Sequence, residues 1–112
     1  MPIFPIKVSK VWGEEIWFAN SSLYCGKILL LKEAHFCSYH YHKLKDETFY
    51  ILEGTVRMNI DGVESDAFPG ISIHIPPETK HMFTGLEDSV IIETSTEHFE
   101  DDSYRQSESG KL

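Results

Sequence analysis

HYHKLKDETFYILEG, residues His40 to Gly54, decides how this chain is read. Side chains alternate across a strand, so His40 and His42 face one interior together. Glu47 opens the next run, where the same alternation puts Glu47, Phe49 and Ile51 on one face. Three ligand-type side chains thus converge from two neighbouring strands. Two imidazoles and a carboxylate suit one divalent metal ion of the zinc, manganese, iron or nickel kind.

Outward from this stretch the chain continues as short alternating runs. Residues Lys7 to Ser22 read as strand, turn, strand, broken at Gly13, and Leu23 to Lys32 as a central strand buried on both faces. Downstream, Val56, Met58 and Ile60 share a side, and Asp61-Gly62 is a two-residue hairpin signal. Val63 to Phe68 returns, and ISIHI, HMFTG and SVIIETS follow as further strands, separated by Pro69-Gly70, Pro76-Pro77-Glu78 and Leu86-Glu87-Asp88. Many short strands at regular spacing and no 3.6-residue period predict an all-β fold, a barrel or sandwich of the small jelly-roll type. Trp12, Trp17, Phe18 and Phe83 are expected in the core, and His98 in solvent. Tyr39 and Tyr41 face outward, covered either by the N-terminal strands or by a second copy in a homodimer. The core of the domain is expected at about residues 10–95, with an acidic tail over 96–112 whose last residues, SESGKL, fray.

At 112 residues the chain is one domain, with a 41% apolar share sufficient for a single core. Its formal charge of −8 argues against a nucleic-acid or anionic-membrane partner. No apolar stretch is long enough to span a bilayer, and MPIFPIKV lacks the layout of a secretory signal. Cys25 and Cys37 have no C-x-x-C spacing and read as reduced thiols, which together predicts a cytoplasmic protein.

His40, His42, Glu47 and Gly54, followed by Gly70, Pro76 and His81, resemble the two motifs of the cupin superfamily. That resemblance implies a metal held by His40, His42, Glu47 and His81. Glu78 and Gly85 depart from it, standing where the family usually has Gly and Asn. Three further stretches are similar to mannose-6-phosphate isomerase (type II) and D-lyxose isomerase-like cupins: Lys10-Val11-Trp12-Gly13, the His40, His42, Lys45, Glu47 arrangement, and Ile91 to Arg105 with Glu93 on the last strand. After Arg105 the resemblance ends, with QSESGKL in place of the family's continuation.

The resemblance implies a metal-dependent aldose–ketose isomerase acting on a sugar or sugar phosphate through an enediol. Such a reaction moves a proton between two adjacent carbons, one of them a carbonyl carbon. Glu93 is the expected base and Lys45 a donor to a substrate oxygen, with Arg105 and Lys27 as candidates to hold a hydroxyl or phosphate. Two alternatives stand beside this: a non-catalytic metal- and carbohydrate-binding cupin, and an iron-dependent oxygenase.

Overall fold

The alternation seen in the sequence becomes short strands spread from Ile6 to Lys111. The computed structural model describes residues 1–112 as thirteen strands. These are β1 (Ile6–Lys10), β2 (Gly13–Asn20), β3 (Cys25–Leu31), β4 (His35–Phe36), β5 (His40–Tyr41), β6 (Glu47–Glu53), β7 (Val56–Ile60), β8 (Val63–Ala67), β9 (Ser72–Ile75), β10 (His81–Gly85), β11 (Ser89–Ser95), β12 (Tyr104–Arg105) and β13 (Gly110–Lys111). No helix is long and apolar enough to cross a membrane.

Six strands form one antiparallel sheet in the order β1-β2-β3-β11-β6-β9. In the second sheet β10 pairs with β7 on one edge, and β8 follows β7. Its other edge takes β4 and β5 through Thr84–Phe36 and His81–His40, and these in turn carry β13 and β12. The inward residues of both sheets meet in one core. Leu29, Ile51 and Ile91 come from the first sheet, Val56, Met58 and Phe83 from the second. Burying each such side chain contributes about 1.5–3 kcal/mol. Trp12 closes the core edge-on against Phe83, with ring centroids 5.1 Å apart. The fold is an all-β, single-domain jelly roll.

Several details differ from the sequence-based expectation. β3 is central, but Leu30 is 37% exposed while Leu29 and Leu31 are 2% exposed, so beyond Lys27 only one face is buried. Phe18 points out of the cavity and covers Gly26, where an added Cβ would meet its ring at 2.5 Å. Tyr41 stacks on Tyr104, centroids 5.1 Å apart, so β12 covers it rather than the N-terminal strands. SESGKL does not fray: Gly110 and Lys111 pair with β4, and the Leu112 amide donates to Ala34 O at 2.7 Å. Cys25 and Cys37 are free and buried, and burial pushes the Cys37 thiol up to about 12.

Two turn positions decide local stability. Gly54 has φ +85°, and an added Cβ would collide with Ser89 Oγ and lie 2.5 Å from Asp88 O. Glu78 also has positive φ, 66°, a conformation that costs an L-residue about 1–2 kcal/mol. Denaturant melts should therefore separate them. Gly54→Ala should lose about 2 kcal/mol or more, from clash and strain together. Glu78→Gly should gain about 0.5 kcal/mol, since relief of strain is partly offset by the freer unfolded chain. A loss in Glu78→Gly would contradict this account of the turn.

Candidate metal centre and cavity

Pairing of β10 with β5 sets His81 opposite His40, and His42 follows one residue past the end of β5. The ring centroids of His40 lie 5.0 Å from His42 and 4.4 Å from His81. Each ring is anchored through Nδ1 to a backbone carbonyl: His40 to Ser38 O at 2.7 Å, His42 to Asp102 O at 2.8 Å, His81 to Thr79 O at 2.8 Å. A carbonyl only accepts, so Nδ1 carries the proton and Nε2 presents a lone pair. One ligand atom from each ring lies within 4.8 Å of the others. These three histidines are positioned to bind a metal ion.

Glu47 strengthens the fit. Its Oε2 stands 3.2 Å from His42 Nε2, and its Oε1 3.7 Å from His81 Nε2. With the Nδ1 protons committed, these are acceptors facing acceptors. Glu47 Oε2 and His81 Nε2 are buried without a hydrogen-bond partner. Unpartnered buried polar atoms cost free energy, and a cation among them removes the conflict. The protonation states agree. Burial, with His81 next, lowers His40 to about 3, and burial lowers His81. Burial opposes the charge of Glu47, while the field of Lys45 holds its carboxyl below the usual carboxylate range. Three imidazoles whose Nδ1–H groups are committed to carbonyls, with a carboxylate beside them, are a suitable donor set for a divalent metal.

The centre opens into a cavity of about 410 Å³. Its wall carries Lys45, Glu93, Lys27 and Arg105 together with His40, His42 and Glu47. Lys45 Nζ and Glu93 Oε2 form an ion pair at 2.8 Å, their side chains 4% and 5% exposed. Burial would lower the lysine pKa, but the Glu93 and Glu47 charges outweigh it and the shift is upward. Arg105 is exposed on β12, and no carboxylate lies within ion-pair distance of it. Lys27 is 2% exposed and already engaged by Glu15 at 3.3 Å and by the Trp17 ring at 4.4 Å. His74, in contrast, is on the outside, paired with Asp46 at 2.7 Å.

Two residues of the site escape sequence reasoning. Asp102, 4% exposed, accepts backbone N–H bonds from Lys43 at 2.9 Å, Leu44 at 3.2 Å and Lys45 at 3.1 Å. Its own carbonyl holds His42. One residue of the tail therefore fixes both a metal-type ligand and the loop that carries Lys45. His98 is the second: it lies in the cavity wall and not in solvent, its ring 4.9 Å from Trp17 and its Nδ1 3.3 Å from Lys27 Nζ. Burial, then the Lys27 charge, lowers its pKa to about 3.

Both observations have measurable consequences. Asp102→Ala keeps the carbonyl that accepts from His42 but removes the carboxylate that holds the Lys43, Leu44 and Lys45 amides. The loosened loop should weaken zinc binding by about tenfold in a chelator competition. Unchanged affinity would mean that His42 is placed by other contacts. The second consequence is acid sensitivity of the metal-free protein. Unfolded histidines titrate near about 6.5, while folded His40 and His98 stay neutral to about 3. The unfolded state then binds more protons, so stability should fall as pH drops below about 6.5. Denaturation at a series of pH values checks this, and a flat profile from neutral pH to about 4 would contradict it.

Comparison with known proteins gives a consistent picture. Residues 28–94 match the cupin domain family. A stretch of 44 residues is 46% identical to quercetin 2,3-dioxygenase of Bacillus subtilis, covering 39% of this chain but only 13% of that enzyme. KdgF from Halomonas sp. superposes with a TM-score of 0.79 at 18% identity, over 90% of this chain and 98% of its own. Pac13, a nucleoside dehydratase, superposes with a TM-score of 0.82 at 12% identity, over 93% of this chain and 86% of its own. At such identities the two structures speak for the fold alone. With its paired motifs, its jelly roll and its three convergent histidines, this chain belongs to the cupin domain family.

Proposed function

We propose that this chain is a metal-dependent aldose–ketose isomerase acting on a small sugar or sugar phosphate, similar to the mannose-6-phosphate isomerase-like cupins. The observation that carries the reading is the Lys45–Glu93 pair, buried at 2.8 Å in the wall that also holds His40, His42 and Glu47. A divalent cation on His40, His42, His81 and Glu47 would supply Lewis acidity toward a substrate carbonyl, worth several kcal/mol of transition-state stabilisation.

The chain's own residues account for the proton. Glu93 is the base that takes it from the carbon beside the carbonyl and returns it to the neighbouring carbon of the enediol. Lys45 sits against the same carboxylate and donates to the substrate oxygen on which negative charge develops. Ser95 Oγ, 3.3 Å from Glu93 Oε2, helps to orient that carboxylate. Lys10 and Lys27 lie beside Glu15 and Lys45 beside Glu93, so Arg105 is the wall cation left for a phosphate. The cavity volume accommodates a pentose or hexose rather than an oligosaccharide.

A second reading has its own support, in the local 46% identity to a dioxygenase. One experiment separates the two. The metal-loaded protein is incubated with aldoses and their 6-phosphates in deuterated water, and deuterium is followed at the carbon next to the carbonyl. The isomerase reading predicts deuterium incorporation with ketose formation, reduced at least about 100-fold in Glu93→Gln with metal retained. Oxygen consumption by the ferrous protein without exchange would replace it with the oxygenase reading. Sugar binding with neither reaction would leave a binding module.

A further inference from the structure

On the inner face of the six-stranded sheet, cross-strand pairing places Trp17, Lys27, Glu93 and Phe49 in one row. His98 lies over the Trp17–Lys27 end of that row, and its position is fixed twice. Its amide donates to Asn20 Oδ1 at 3.0 Å, and Asn20 Nδ2 donates to its carbonyl at 3.3 Å. Its ring rests 4.9 Å from the Trp17 ring.

The ring's hydrogen-bonding character follows from Lys27. An ammonium has only hydrogens to offer, so His98 Nδ1, 3.3 Å from Lys27 Nζ, accepts. The proton of the neutral imidazole must therefore be on Nε2. Burial and the adjacent positive charge keep a second proton off, with the pKa lowered to about 3. Glu100 Oε1 stands 3.5 Å from Nε2, at the limit of contact, on a side chain 80% exposed. Lys27 itself has no donor left for a ligand, since Glu15, His98 and the Trp17 face use it up. What the cluster presents to the cavity is one fixed, uncharged N–H.

We propose that His98 is a substrate-binding residue, whose Nε2–H donates to a hydroxyl oxygen of a carbohydrate at the end of the cavity away from the three metal-site histidines. The ligand class rests on the carbohydrate reading above, but the hydrogen bond does not require isomerase activity. Neighbouring strands lie about 4.8 Å apart, and Lys27 on β3 is one strand from Glu93 on β11. A hydroxyl held by His98 is thus about 5–10 Å from the carbon that Glu93 reaches, the span of a pentose or hexose. Lys10 and Lys27 at this end already sit beside Glu15, and Glu100 stands in the same wall, so no free cation is left here for an anionic group. The phosphate of a phosphorylated sugar belongs at Arg105.

The test uses the manganese-loaded full chain and D-mannitol, a polyol that cannot isomerise, with binding followed by calorimetry. His98→Leu should weaken binding by about tenfold, and His98→Gln, which keeps an N–H donor, by no more than about threefold. Nitrogen-15 spectra of the ligand-free protein should show His98 as one neutral tautomer with the proton on Nε2, and mannitol should shift that resonance. Equal affinity in His98→Leu, an Nδ1–H tautomer, or no mannitol binding by the wild type would each overturn the proposal. Loss of binding in His98→Leu alongside absent deuterium exchange on D-mannose would uphold it and remove only the isomerase reading.

Discussion

Four acceptor atoms aimed at one another hold the meaning of this structure. Each of three histidines donates its Nδ1–H to a backbone carbonyl, and the bare Nε2 atoms of His42 and His81 then face a buried carboxylate. A hydrophobic core would not assemble such a group for stability, because unpartnered lone pairs in a low-dielectric interior are costly. Only a positive charge between them makes the arrangement favourable. The strand register that sets His81 against His40, and the alternation that turns Glu47 inward beside Phe49 and Ile51, both serve this convergence.

The C-terminal tail is part of the same device. Asp102 collects three successive amides of the loop after His42 and gives its carbonyl to the His42 ring. A carboxylate receiving several N–H bonds is a strong and directional constraint. Pairing of β12 with β5, and the stack of Tyr104 on Tyr41, keep that residue in place. The tail therefore holds both the His42 ring and the loop that carries Lys45, the partner of Glu93.

Much of this was legible in the chain itself. In ETFYILE the inward set Glu47, Phe49 and Ile51 follows from the pleat, ending before the exposed Glu53, and Asp61-Gly62 forms the expected hairpin with φ of 51° and 87°. Motif spacing singles out the three histidines that converge, with Glu47 beside them, although His42 reaches the site from a loop rather than from a continuing strand. Asp102 was not legible because its partners are backbone amides 57–59 residues earlier, which leave no trace in side-chain pattern. His98 sat in an acidic run that looked solvated, and its burial depends on Asn20, Trp17 and Lys27, all far away in sequence. Two-residue strands such as β12 and β13 are too short for any periodicity to show.

The central claim is that His40, His42 and His81 are positioned to bind one metal ion, with the Glu47 carboxylate proposed as the fourth ligand. X-ray absorption fine structure on the zinc-loaded protein tests it most directly. The account predicts three imidazole nitrogens at about 2.0–2.1 Å and carboxylate oxygen at about 2.0–2.2 Å, with one imidazole lost in His81→Ala. Zinc bound through fewer than two imidazoles, or a spectrum unchanged by His81→Ala, would contradict it.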